Sequence, residues 1–156
     1  MTRRSLHGGR GDLQGARRAE RAEAFGFAFA PAYRPAALVF GVTPARARVE
    51  MGETQLRVGF GPWRLDTPLS NVVQVAVTGP YRYLKTAGPA HLSLKDRGVT
   101  FATNGDRGVC VTFREPVAAL APFGLLRHPG MTVTVAEPDR LIRAMAARAN
   151  ELPSGA

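Results

Sequence analysis

The sequence predicts a mainly β domain: an antiparallel meander, bent sheet or small barrel closed by one C-terminal α-helix. Three observations predict it. Between Phe25 and Val135, short stretches alternate apolar with polar residues, the period of a half-buried strand. The 17 glycines and 12 prolines fall largely between those stretches, where they act as turns. After Glu137-Pro138-Asp139 the period lengthens, and Leu141, Ile142, Met145 and Ala149 form one helical stripe.

Length and composition bound the rest. A chain of 156 residues, 45% hydrophobic, supports one domain with one core. The predicted division is a basic tail over 1–24, a β-rich domain over 25–150 that includes helix 138–150, and a short tail over 151–156. Lys plus Arg number 21 against 12 for Asp plus Glu, a net charge of +9. Lys85 and Lys95 are the only lysines, so the surplus is arginine. Such a balance permits nucleic acid, anionic lipid or an acidic protein as partner without selecting one, and a GC-rich genome produces the same bias. Cys110 is the only cysteine, which excludes an intrachain disulfide and a Cys-rich zinc site. A reducing, cytoplasmic setting is the simplest expectation. His7, His91 and His128 lack ligand-like spacing, and nothing calls for a metal or organic cofactor. The longest apolar run, Ala36 to Val42, is too short for a membrane span, and no apolar segment follows Arg3-Arg4.

Residues 1–24 hold six arginines and three acids, with little to bury. They read as a basic arm for nucleic acid or membrane, or more plainly as a solvated tail or an early start codon. Phe25, Phe27 and Phe29 alternate with Gly26 and Ala28 as a first strand, ended by Pro31 and Pro35. Ala36 to Val42 reads as a buried turn of helix or irregular segment. Ala47, Val49 and Met51 then face the core, with Arg46, Arg48 and Glu50 outside. Leu56, Val58 and Phe60 face inward in turn, with Gln55 and Arg57 outside.

A tight Gly52-Glu53 turn would set Val49 opposite Leu56 and Arg48 opposite Arg57. The Gly61-Pro62 turn pairs Phe60 with Trp63, Val58 with Leu65 and Arg57 with Asp66. Arg48 and Arg57 therefore have two readings. They make an anion site, or an ion-pair ladder with Glu50 and Asp66 worth under ~1 kcal/mol per pair. The neighbouring carboxylates favour the ladder.

Val73, Val75 and Val77 are expected inward on a strand over 72–77. The loop TGPYRYLKTAGPA follows, with Tyr81, Arg82, Tyr83 and Lys85 between two Gly-Pro pairs. Interleaved aromatic and basic side chains suit a phosphate, a lipid head group or a base. They equally suit a cap of tyrosine rings over a barrel end. This loop is the chain's best binding candidate.

From His91 to Phe113 the pattern predicts three consecutive strands joined by Asp-Arg-Gly turns at 96–98 and 106–108. Leu92, Leu94, Val99, Phe101, Val109, Val111 and Phe113 share one face. His91, Ser93, Lys95, Thr100, Ala102, Cys110 and Thr112 share the other. Adjacent pairing would put Thr100 opposite Thr112 and Phe101 opposite Val111. Residues 115–130 read as a packed crossover with a helical turn, covering a barrel mouth and any pocket beneath it, with His128 in a turn. Met131, Val133 and Val135 form the last strand.

No phosphate loop, HExxH, CxxC or nucleophile elbow occurs. His91, Ser93 and Cys110 share a predicted face but read as ordinary sheet residues, so no catalytic residue is assigned.

The runs PWRLDTPLSNV, GPAHLSLKDRGVTFATN, RGVCVTFRE and LLRHPGMTVTVAEPDRL together resemble a family of small uncharacterised proteins common in actinobacteria. The resemblance covers about residues 25–146 and supplies no catalytic residues. The order of elements is also similar to a pleckstrin-homology-like barrel, several antiparallel strands followed by one helix, which is a likeness of fold alone. The expected function is a non-enzymatic binding or scaffold module for an anionic ligand, lipid head group or protein. The alternatives are a small-ligand carrier or enzyme with a pocket under 115–130, and nucleic-acid contact through the N-terminal arginines.

Overall fold

The computed structural model describes residues 22–79, 90–92, 98–119 and 126–151, with main chain alone at 90–92 and 151. Its strands form two sheets. β1 (Glu23–Gly26), β2 (Ala47–Met51), β3 (Gln55–Phe60) and β4 (Trp63–Pro68) pair in that order, all antiparallel. β5 (Val72–Thr78), β6 (Ala90–Leu92), β7 (Val99–Phe101), β8 (Gly108–Ala118) and β9 (Arg127–Val133) make the second sheet, in the order β5-β8-β9-β7-β6. A short helix, α1 (Arg34–Val39), joins β1 to β2, and a long one, α2 (Pro138–Glu151), ends the described chain. The protein is thus mainly β, with one substantial C-terminal helix.

The alternation read from the sequence becomes the inner and outer faces of the first sheet. Val49, Met51, Leu56, Val58, Phe60 and Leu65 are buried, and the residues between them face outward. Phe60 lies at the centre. Its ring is 5.0 Å from that of Phe27, just after β1, and 5.3 Å from that of Phe101 on β7. Tilted ring pairs at such distances add to plain apolar burial. Two polar seams fasten the sheets. Ala28 N donates to Thr134 O at 3.0 Å and Ala136 N to Gly26 O at 2.9 Å, with Phe27 opposite Val135. Asn71 Nδ2 donates to Thr67 Oγ1 and to Glu115 O, and Asn71 Oδ1 accepts from Glu115 N at 2.8 Å.

On α2, Leu141 and Met145 are buried and Ile142 and Ala144 pack beside them. Ala149 is exposed, so the apolar stripe ends one turn earlier than the spacing predicts. Asp139 in the first turn accepts from Arg107, a contact that ties the helix start to the second Asp-Arg-Gly turn.

Several expectations are corrected. β1 starts at Glu23, opposite Met51, two residues before the expected boundary. The β2–β3 loop is Gly52-Glu53-Thr54, with Gly52 N donating to Gln55 O. Gly52 and Gln55 thus enclose a two-residue turn at Glu53-Thr54, one residue later than expected, so Val49 faces Val58, Glu50 faces Arg57 and Arg48 faces Gly59. Opposite charges now oppose each other, which a turn at Gly52-Glu53 would have prevented. The β3–β4 register is as expected, with Phe60 opposite Trp63 and Arg57 opposite Asp66. Gly61 sits in that turn at φ 61°, where a side chain would be strained.

The strands from 91 to 113 are not a simple meander. β6 and β7 form the expected hairpin, His91 opposite Thr100. β9 then inserts between β7 and β8, parallel to β7 and antiparallel to β8. Thr100 faces Thr132 rather than Thr112, and Phe101 faces Val133 rather than Val111. Val99, Thr100 and Phe101 are all buried, as suits a strand covered on both faces beside a parallel partner.

A register shift between Val72 and Gln74 turns Val72 and Val75 toward the core and leaves Val73 and Val77 exposed. In α1 only Ala37 is buried, joined by Val42 beyond it, and Leu38, Val39 and Phe40 stand in solvent. Of the expected crossover over 115–130, the described residues 115–118 and 127–130 are instead strand arms of β8 and β9, with Val117 opposite His128 and Ala118 opposite Arg127, and 120–125 lie outside the described residues. His128 is a buried strand residue, not a turn residue.

Replacing Phe60 by Ala removes the ring shared by both sheets. Urea denaturation should show a loss of about 3–5 kcal/mol, seen as a lower midpoint at similar slope.

Candidate functional site

The outward residues of β2, β3 and β4 line up across the first sheet in rows. One row reads Glu50, Arg57, Asp66, and its charges alternate. The neighbouring row reads Arg48, Gly59, Arg64. A glycine in the middle strand leaves bare backbone between two arginines. A Cβ placed on Gly59 would lie 3.9 Å from an Arg64 guanidinium nitrogen and 3.6 Å from Arg46 O, so Arg64 reaches across the gap. Arg46 stands one step further toward the Gly61 turn, where its carbonyl accepts from Gly61 N at 3.1 Å.

The result is a shallow polar cleft of about 790 Å³. Arg46, Arg48, Arg57 and Arg64 line it, with Glu50, Asp66 and Gln55, which leaves a surplus of two positive charges. The pairing within it is uneven. Arg48 Nε bonds Glu50 Oε1, and Arg57 Nε lies 3.1 Å from Asp66 Oδ1. Arg46 and Arg64 take part in no ion pair among the described residues.

This arrangement suits binding rather than proton transfer. Guanidinium groups stay protonated and offer forked N–H donors that match the oxygens of phosphate and carboxylate. Both carboxylates of the cleft are already held by arginines.

The sequence candidates fall into separate groups. Arg48 and Arg57 sit on the same outer face, yet neither is a free cation, and the Arg48–Arg57 confrontation does not occur. Tyr81, Arg82, Tyr83 and Lys85 lie outside the described residues, as do Ser93 and the N-terminal arginines. His91 is described by its main chain alone. Cys110 is half-buried on β8, between Ala76 and Thr132. The cleft is lined by residues 45–66, none from the 115–130 region. Among the described residues no three His, Cys, Asp or Glu side chains cluster as metal ligands. No described helix is long and apolar enough to cross a membrane. No protein family, curated protein or solved structure matches the chain.

Sequence reasoning passed over Arg46, Arg64 and Gly59. One signal was available: the Gly61-Pro62 turn fixes Arg64 opposite Gly59. The other half, Arg48 opposite Gly59, depends on the β2–β3 turn falling at Glu53-Thr54 rather than at Gly52-Glu53.

The Arg57–Asp66 pair is largely exposed, at 64% and 59%. Asp66→Asn should therefore change unfolding stability by less than about 1 kcal/mol, measured by chemical denaturation, while leaving Arg57 as a further unpaired cation.

Proposed function

We propose that this protein is a non-catalytic binding module that holds an anionic group on the outer face of its four-stranded sheet. Arg46 and Arg64 are the principal donors. One observation carries the reading: two guanidinium groups without ion-pair partners among the described residues border a strand position that has no side chain. An oxyanion over Gly59 reaches backbone closely and breaks no existing salt bridge. Arg48 and Arg57, already paired, contribute field more than direct bonds. The ligand class is a phosphate- or carboxylate-bearing molecule, lipid head group or acidic protein surface.

The loop with Tyr81, Arg82, Tyr83 and Lys85 belongs to this reading as a second basic and aromatic element. The finer fold description, a pleckstrin-homology-like arrangement, is supported by the largely antiparallel strands and a C-terminal helix, while the described strands form two sheets and not a closed barrel. The parallel β7–β9 pair departs from it. Kinship with small actinobacterial proteins and a cytoplasmic setting complete the proposal, the latter on the single cysteine.

Titration calorimetry with inorganic tripolyphosphate tests it. Binding should weaken as salt rises. The double variant Arg46→Gln/Arg64→Gln should lose about tenfold or more in affinity, as expected for lost charge-assisted hydrogen bonds. Gly59→Leu should block the site while the fold persists. Undiminished affinity in the double variant would refute the assignment.

A further inference from the structure

The last turn of α1 presents Leu38, Val39 and Phe40 to solvent at 67%, 82% and 48% exposure. Three consecutive large apolar side chains left open in this way need a reason. They are not a loose end. Ala37 and Val42 are buried on either side, Val42 N donates to Ala37 O at 2.8 Å, and Gly41 N donates to Leu38 O at 2.9 Å. The Phe40 ring is 6.1 Å from Trp63, which stacks on Phe60 at 6.3 Å. An aromatic ladder thus runs from the exposed tip into the core, and the tip is a fixed wedge.

Its electrostatic surroundings are one-sided. From Ala24 to Val49 the chain contains no carboxylate. Arg34 begins α1; Gly41 and Val42, just past the tip, lie against the Gly61 turn, to which the Arg46 carbonyl is bonded and from which Arg64 is three residues on, in β4. All three are exposed, and none is in an ion pair among the described residues.

We infer that Leu38, Val39 and Phe40, rimmed by Arg34, Arg46 and Arg64, dock this protein on an anionic lipid bilayer. The inference rests on the anion-binding reading for Arg46 and Arg64 and names the source of the anion as lipid head groups. Size and charge select the bilayer. One helical turn is far short of the roughly 20–30 residues a stable protein interface uses on each side. A second copy of this chain would bring each arginine rim against its like. A bilayer interface, by contrast, accepts a few apolar side chains to shallow depth. It also rewards each nearby cation by about fivefold in affinity when the lipid is anionic.

Vesicle co-sedimentation of the full chain tests this, with phosphatidylcholine vesicles lacking or containing phosphatidylglycerol. The chain should bind the anionic vesicles and bind the neutral ones far less. Leu38→Ser/Val39→Asp should lose about tenfold or more in vesicle affinity yet keep its tripolyphosphate affinity. Arg46→Gln/Arg64→Gln should lose both. Since Trp63 is the only tryptophan and its ring lies beside Phe40, its fluorescence reports the tip. Lipids brominated near the head-group end of the acyl chain should quench it in the parent protein and not in the Leu38→Ser/Val39→Asp variant. The substituted tip positions are exposed, and an unchanged denaturation midpoint, with Val39→Ser as a milder second variant, separates lost docking from lost folding. Tripolyphosphate binding without vesicle binding would overturn the inference and leave the anion site standing, and binding of neither would overturn both. Vesicle binding that tolerates the tip substitutions, or concentration-dependent dimerisation abolished by them, would also overturn it.

Discussion

The contact of Phe60 with Phe27 and Phe101 is the constraint on which the rest of the structure depends. Each ring comes from a different segment: β3, the extension of β1, and β7. They bring the two sheets together where no regular ladder joins them. Strand geometry carries this inward fact outward. Because Phe60 must point to the core, its neighbour Gly59 must point to solvent, and the residues opposite it, Arg48 and Arg64, must flank it. The cleft is the reverse side of the aromatic core.

That coupling gives the cationic surface rigidity. Arg48, Arg57 and Arg64 stand on paired strands and Arg46, just before β2, is tied to Gly61 through its carbonyl, so their backbone spacing is fixed before any ligand arrives, which lowers the ordering cost of binding. The charge is graded along the sheet. Near Gln55 the positive groups are matched by Glu50 and Asp66. Toward the Gly61 turn the matching stops, at Arg46 and Arg64. An approaching anion therefore meets a field with a direction, not a uniform basic patch.

Much of this was legible in the sequence where the signal was local. The Gly61-Pro62 turn fixed one register completely, and the change of period after Pro138 located α2. Val99, Phe101, Val109, Val111 and Phe113 are buried as their alternation implies. What failed was long-range or ambiguous. No local pattern announces that β9 will separate β7 from β8, since apolar alternation specifies a face and not a neighbour. An apolar run such as Ala36–Val42 reads alike whether it covers a core or projects from it. The site suffered from the turn's position alone: with the turn at Gly52-Glu53, Arg48 meets Arg57. With the turn at Glu53-Thr54, it meets Gly59, and the trough between Arg48 and Arg64 becomes visible. Residues 80–89, which hold the strongest motif in the chain, lie outside the described residues.

The insertion of β9 has a consequence for how the chain acquires its shape during synthesis. Among the described residues, β7 and β6 pair with the rest of their sheet through residues 131–133, and the end of β1 is tied to residues 134–136. A nascent chain that has released the first hundred residues from the ribosome therefore owns most of its strands but not the piece that joins them. Until β9 emerges, the β6–β7 hairpin has an open edge, the condition under which growing chains mispair or recruit a chaperone. A segment near the C-terminus, far in sequence from the binding face, decides when the two halves of its own sheet are first joined.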